Sequence, residues 1–310
     1  MDVGLQVSGG YDAVVAAARW AEAEDFVAFA LPDHYVGGLG TDTAATGDAF
    51  DGLVQLAGLA RDTSRIELSM LVSPITFRHP AVLAKTAVTI DHMSGGRFTL
   101  GVGTGWLERE HEIFGFPFPE RAVRFDMMEE ALAYLQAAFA NDAAGFAGRF
   151  FELEAISVQP KPLTRRRLVV GGMGSTRTPA LAGRYADEYN VYPAGRAELE
   201  GRIRLMREAA RAAGRDPDAI LISSSGQVVT AETRDGYDEK LAARAAELGM
   251  DVDELEQHYA VRNTPRGSHD EVREQLRTLG DVGVTRFYLQ RPAEFDREAE
   301  RGLVAAIRSI

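Results

Sequence analysis

Three short stretches carry residue types and spacings able to do chemistry. In "LPDHY" an aspartate and a histidine stand side by side, Asp33 and His34. A carboxylate next to a group that titrates near neutrality offers one ligand both an acceptor and a proton carrier. The same pair in a loop also serves as a helix cap or surface pair, so its place in the fold must choose between the readings. In "GGMGSTRTP", Gly171, Gly172, Met173 and Gly174 precede a helix expected to begin near Thr178. Backbone N–H groups that glycine leaves uncovered at a helix N-terminus bind anions; Ser175 and Thr176 add hydroxyl donors and Arg177 adds charge. A plain strand-to-helix turn has the same composition.

The third stretch is "FTLGVGTGW", residues 98–106, where glycine takes every second position after an apolar run. A dinucleotide loop needs Gly-x-Gly-x-x-Gly running into a helix. Here the spacing is two and two, a helical pattern resumes only near Glu120, and there is no lysine-bearing phosphate loop. In an extended strand Gly101, Gly103 and Gly105 share one face, with Val102, Thr104 and Trp106 on the other. The bare face suits close packing or a flat ligand. Upstream, in "MLVSPITFRHP", Pro74 ends a strand, and Arg78 and His79 are expected to satisfy backbone groups where the next helix starts.

These residues need a scaffold, and the rest of the chain describes one. Apolar or branched runs at 3–8, 27–31, 66–73, 97–103, 167–172, 187–193, 219–230 and 285–290 read as eight strands separated by helical segments. Phe125, Met128, Leu132, Leu135 and Phe139 recur at helical steps and read as a buried stripe of a helix over 121–140. Pro80 at a first-turn position and "SGG" after Met93 bound another helix. Eight strand–helix units of one composition favour a closed α/β barrel, a (β/α)8 TIM barrel, over an open doubly wound sheet, as one domain spanning 1–310. Insertions are expected after strands two and four and in the C-terminal half: the polar loop at 35–50, read as a lid or an ordinary surface loop, and a hairpin at 144–163 ended by "QPKP". In such a barrel the strand C-termini hold the active site, which is where all three stretches fall.

Composition narrows the function. A net charge of -12 with a pI near 5.1 argues against nucleic-acid or anionic-membrane partners and for a small-molecule substrate. The absence of cysteine removes disulfides, thiolate nucleophiles and cysteine-held metals, and no metal site is expected. "MDVGLQVSGG" has neither a basic start nor a long apolar run, so a cytoplasmic protein without a membrane span is expected.

The segment "PITFRHPAVLAKTAVTIDHMSGGRFTLGVGTGWLEREHEIFGFPF" resembles the luciferase-like flavin and deazaflavin oxidoreductases, whose members show a strand, Arg-His-Pro, a helix, Asp-x-x-Ser-x-Gly-Arg and Gly-x-Gly-x-Gly-Trp in that order. "LPDHY", "ERAVRFDMMEEAL", "GRFFELEAISVQPKPL" and "LVVGGMGSTRTPALAGRYAD" extend the likeness over most of 1–190; "GSHDEVREQL" carries it more thinly, and 195–262 has no matching motif. The resemblance implies a TIM-type barrel that binds coenzyme F420, or alternatively FMN. On the F420 branch it places Asp33 near the deazaflavin and His34 at the hydride-transfer centre. A non-proline cis peptide would fall at Met70–Leu71, Thr104 would approach the ring, and Gly171 through Thr176 would hold the phosphate. Trp106 stands where sugar-phosphate dehydrogenase members carry a catalytic glutamate, which marks it as substrate-facing and argues against a glucose-6-phosphate substrate. A homodimer is expected, and a flavin reductase partner if the cofactor is FMN.

Overall fold

The computed structural model describes residues 1–37, 48–163 and 168–310; most of the loop read at 35–50 therefore lies outside the described residues. In chain order the elements are β1 (Asp2–Ser8), α1 (Tyr11–Ala23), β2 (Ala28–Leu31), α2 (Gly52–Asp62), β3 (Glu67–Pro74), α3 (Pro80–Ser94), β4 (Phe98–Gly103), α4 (Glu108–Phe114), α5 (Arg121–Phe139), β5 (Ala144–Ala147) and β6 (Glu152–Ile156). They continue with β7 (Leu168–Gly172), α6 (Arg177–Tyr185), β8 (Glu188–Val191), α7 (Arg196–Ala212), β9 (Leu221–Gly226), β10 (Val229–Ala231), α8 (Arg234–Leu248), α9 (Val252–Val261), β11 (Arg266–Ser268), α10 (His269–Asp281), β12 (Arg286–Pro292) and α11 (Arg297–Arg308).

A closed barrel runs β1-β12-β9-β8-β7-β4-β3-β2, each neighbour pair parallel, and its strands are the eight that the apolar runs predict. The hairpin expected near 144–163 is the antiparallel pair β5–β6. Two expectations are corrected. The run 219–230 is not one strand: the barrel strand stops at Gly226, and Val229–Ala231 pairs with β11 in a separate parallel ribbon. That ribbon shares a small core with α8 and α9, built from Ala231, Tyr237, Leu241, Ala245 and Leu255. The helical pattern also resumes earlier than Glu120, because α4 occupies Glu108–Phe114.

Local chemistry accounts for the helix ends. His79 caps α3, its Nδ1 accepting the Ala81 N–H at 3.1 Å, with Pro80 in the first turn. Gly95 closes that helix at φ 69°, a conformation that suits glycine. The α5 stripe from Phe125 to Phe139 is buried as its spacing requires.

Inside the barrel charged and polar groups pack beside a small apolar cluster. Alternate strand residues such as Leu5, Phe29, Leu68 and Phe287 face the helices and form the main core. Their neighbours reach across the barrel: Arg286 Nη1 on β12 lies 3.0 Å from Glu67 on β3, 3.2 Å from Glu188 on β8 and 3.0 Å from the Tyr288 hydroxyl. The three strands of the ion pairs are not neighbours in the wall, so these contacts cross the interior. Burial pushes the Glu188 carboxyl above its ordinary value, and Arg286 only partly offsets that.

Candidate active site

β2 ends at Leu31, and the chain passes through Pro32 into Asp33 and His34. Asp33 is 1% exposed. Its Oδ2 accepts from Ser73 Oγ at 2.6 Å and from Arg78 Nη1, and its Oδ1 accepts from Arg78 Nη2 at 3.2 Å. Arg78 is therefore more than a helix-start residue. While His79 caps α3, the Arg78 guanidinium turns back to the Tyr35 hydroxyl and to Asp51 Oδ2 at 2.6 Å. Asp51 in turn caps α2, accepting the Val54 N–H at 3.0 Å. Burial works against the Arg78 charge, but Asp33 and Asp51 outweigh it and hold the guanidinium above its ordinary value. Burial likewise raises Asp51, while Arg78 and the Val54 amide bring it below the usual carboxylate range.

His34 pairs with a residue that the sequence reading did not single out. Its Nδ1 donates to Glu110 Oε2 at 3.0 Å. Glu110 is 1% exposed on α4, and its Oε1 accepts the backbone N–H of Tyr35 and, at 3.2 Å, that of Val36. A carboxylate only accepts, so Nδ1 carries a proton in this contact and Nε2 is the ring nitrogen left outside it. Glu110 lies in a short helix, α4, within a stretch whose residues the sequence pattern does not show to be helical. Trp106 is 65% exposed, and its ring meets the His34 ring edge-on with centroids 5.9 Å apart. The next residue, His111, fastens α4 to β3: its Nδ1 donates to the Leu107 carbonyl at 2.8 Å, and its Nε2 lies 2.6 Å from the Thr76 hydroxyl.

The remaining expected residues divide. The non-proline cis peptide is at Leu71–Val72, one bond beyond Met70–Leu71, where the β3–β4 register shifts between Met70 and Ser73. Met70 is fully buried in the core between barrel and helices, whereas Leu71 belongs to a small cluster with Ala28, Ala30, Val169 and Tyr288. The glycines of β4 are explained by the close approach of β3: a Cβ on Gly101 would lie 2.2 Å from the Met70 carbonyl oxygen, and Val72 crowds the rest. A Cβ on Gly101 would lie 2.8 Å from Val72 Cγ1, one on Gly103 2.8 Å from Cγ2, and one on Gly171 of β7 2.9 Å from Cγ1. Close packing by Val72 thus fills the bare face. Gly105 does not continue it, because it has left the strand at φ 76° to turn the chain toward α4. Thr104, half-buried between them, directs its hydroxyl to the Gly105 carbonyl at 3.4 Å.

At the end of β7, Gly172 (φ 145°), Met173, Gly174, Ser175 and Thr176 lead into α6, which begins at Arg177 with Thr176 as the cap residue. Met173, Ser175 and Thr176, which lead into α6, are exposed, whereas Thr178 and Pro179 of its first turn are buried. Arg177 is engaged elsewhere: its Nη2 pairs with Asp126 at 2.6 Å and its Nη1 donates to the Ala122 carbonyl, both on α5. The cation under this turn is instead Arg202 of α7, 6% exposed, whose Nη2 donates to the Met173 carbonyl at 3.0 Å. Among the described residues no cluster of three or more His, Asp or Glu gathers as metal ligands, and no helix is long and apolar enough to cross a membrane.

A family model for luciferase-like monooxygenases matches residues 2–286. The chain belongs to the luciferase-like monooxygenase family. Membership supports an oxidoreductase. An uncharacterized protein of Mycobacterium tuberculosis is 31% identical over 248 residues, covering 76% of this chain and 83% of that one. The pyrimidine monooxygenase RutA of Escherichia coli is 29% identical over 270 residues, covering 83% of this chain and 70% of its own. Among solved structures, an F420-dependent secondary alcohol dehydrogenase superposes with TM-score 0.79 at 21% identity over 99% of both chains. The EDTA monooxygenase from Chelativorans sp. BNC1 superposes with TM-score 0.78 at 16% identity over 100% of this chain and 93% of that one. At these identities the superpositions show the shared barrel fold.

Proposed function

We propose that this protein is an F420-dependent oxidoreductase acting on a small organic substrate, with His34 carrying the proton that accompanies hydride transfer. The observation that carries the reading is the His34–Glu110 pair at the C-terminal rim, with Nδ1 held at 3.0 Å from the carboxylate. Such a pairing leaves Nε2 as the atom that takes or returns a proton, and it fixes the ring plane. Bound F420 supplies the hydride chemistry.

The donor set fits such a group. The exposed segment before α6 offers the Ser175 and Thr176 hydroxyls and the backbone N–H groups at the start of the helix to a phosphate, on a turn held by Arg202 through the Met173 carbonyl. Leu71, Val72, Gly103 and Thr104 form the strand ends between that turn and His34 and would hold a flat ring there. Trp106, against the His34 ring and 65% exposed, would bound the substrate side.

A second reading has its own support. The 29% identity with a pyrimidine monooxygenase over 270 residues favours reduced FMN and oxygen at the same site, with a flavin reductase as partner. Titration of the purified protein with oxidised F420 and with FMN, followed by fluorescence, separates the two. Tight F420 binding with weak FMN binding is expected. Tight FMN binding with substrate-coupled oxygen uptake would overturn the F420 reading. His34→Ala should abolish turnover and leave F420 binding largely intact.

A further inference from the structure

We propose that Arg78 is a positioning residue for His34, acting through the side chains on either side of it; the proposal rests on the reading of His34 as the proton carrier. His34 is the middle of the tripeptide Asp33-His34-Tyr35. The Arg78 guanidinium takes hold of both outer members, through the two Asp33 oxygens and the Tyr35 hydroxyl. It also reaches Ser73 Oγ, 3.3 Å away at the end of β3, and Asp51 at the start of α2. The Tyr35 hydroxyl donates to the same Asp51 oxygen at 3.0 Å, and the Tyr35 ring stacks on Phe77 at 4.9 Å. One planar group therefore gathers the end of β2, the end of β3 and the cap of α2. From the opposite direction Glu110 holds the backbone of Tyr35 and Val36 and the His34 ring itself. The histidine is fixed by two grips, and only the Glu110 grip touches it.

The geometry calls for arginine. Its fork of five donors serves several acceptors in one plane, whereas a lysine ammonium is a single point charge on a flexible stem. The Arg78 side chain is 11% exposed and that of Asp33 fully buried. If the fork is lost, the buried Asp33 keeps the Ser73 hydroxyl as donor but loses the guanidinium, and its carboxylate must move to find other donors. That movement displaces the backbone that carries His34, and the Nδ1 contact with Glu110 loosens.

The test reads the His34 ring directly. In protein labelled with 15N-histidine, with His34→Gln assigning the signal among the six histidines, wild type should show a slowly exchanging His34 Nδ1–H. In Arg78→Lys this signal should exchange fast while His258, on α9, keeps its own. F420-dependent turnover should fall by about ten- to a hundredfold with KM little changed, as expected when a reacting group is misplaced rather than lost. A purely structural ion pair predicts a lower melting temperature with the His34 signals and turnover unchanged; that result overturns the proposal. If Arg78→Lys does not fold, Tyr35→Phe and Asp51→Asn decide. Each removes one contact of the cluster, so altered His34 exchange supports the proposal and wild-type His34 spectra in both overturn it. The spectra require no cofactor, so a failure of the F420 reading and a failure of the Arg78 proposal are distinguishable.

Discussion

Replacing Arg286 by methionine removes the cation that bridges two carboxylates inside the barrel. Arg286 and Glu188 are 6% and 5% exposed, and the guanidinium stands 3.2 Å from Glu188 and 3.0 Å from Glu67. Breaking a buried pair by deleting one partner typically costs about 3–5 kcal/mol, because the remaining charge stays desolvated. At about 2–4 °C per kcal/mol for a chain near this size, the melting temperature should fall by about 6–20 °C. The sign of the pH dependence follows from Glu188, whose folded value burial raises. An acid with a raised folded value is neutral in both states at low pH and costs nothing there; the penalty appears as pH rises above the unfolded value. Without Arg286 that folded value rises further, so the deficit of Arg286→Met should be largest near pH 8 and shrink toward pH 5. Adding Glu188→Gln should recover part of the loss. The assay is thermal denaturation of both variants across pH 5–8. A single variant within about 1 kcal/mol of wild type at pH 8, or a double variant no more stable than the single, would refute the reasoning.

Four further outcomes are expected. Gly101→Ala sets a new Cβ 2.2 Å from the Met70 carbonyl oxygen and 2.8 Å from Val72, and should destabilise by about 1–3 kcal/mol in denaturant titration. Gly201→Ala, in α7 with no atom within 4 Å of its new methyl, should instead be neutral or stabilise by up to about 1 kcal/mol. Glu22 caps the start of β3: its carboxylate accepts the N–H groups of Ser64, Arg65 and Ile66, and these outweigh burial to bring it down to about 2. Its contribution is present above the unfolded carboxylate value and lost as pH falls through about 2. Glu22→Gln should therefore remove about 1–2 kcal/mol of stability at pH 7 and flatten the acid side of the melting curve, the figure being reduced for solvent screening. Glu110→Gln leaves one acceptor oxygen where two served the His34 ring and the Tyr35 and Val36 amides; turnover should fall by about ten- to a hundredfold with F420 binding retained.

What the sequence made legible followed from local rules. Eight apolar runs separated by helical periods specify the barrel, and the Pro80 and Gly95 signals bound α3 as they stand. Local rules could not reveal where side chains go after folding. Arg78 lies beside a helix start, and nothing in "FRHP" says that its fork turns back to a carboxylate 45 residues earlier. Glu110 was hidden because α4 spans only 7 residues and is mostly exposed, so no apolar stripe announces it. The polar groups of the barrel interior were partly visible in "LISSSG", whose serines are buried, but their hydrogen-bond partners lie on other strands. Asp33 shows the same limit. Its position at a strand end was legible, but its buried ion pair with Arg78 was not.

The glycines of "GVGTG" tie these levels together. A strand of bare residues reads as an opening for a ligand until the residue that covers it is known. Val72 covers it: the Gly101 and Gly103 positions of β4 and the Gly171 position of β7 converge on its two methyl groups. A side chain at any of the three would crowd Val72, two residues along from Met70, whose carbonyl oxygen a Cβ on Gly101 meets at 2.2 Å, and one residue before Ser73, which bonds Asp33. The spacing is thus a packing constraint with a consequence at the rim. It keeps β3 close against β4 and β7, so that Ser73 and Arg78 arrive together beneath the tripeptide that bears His34.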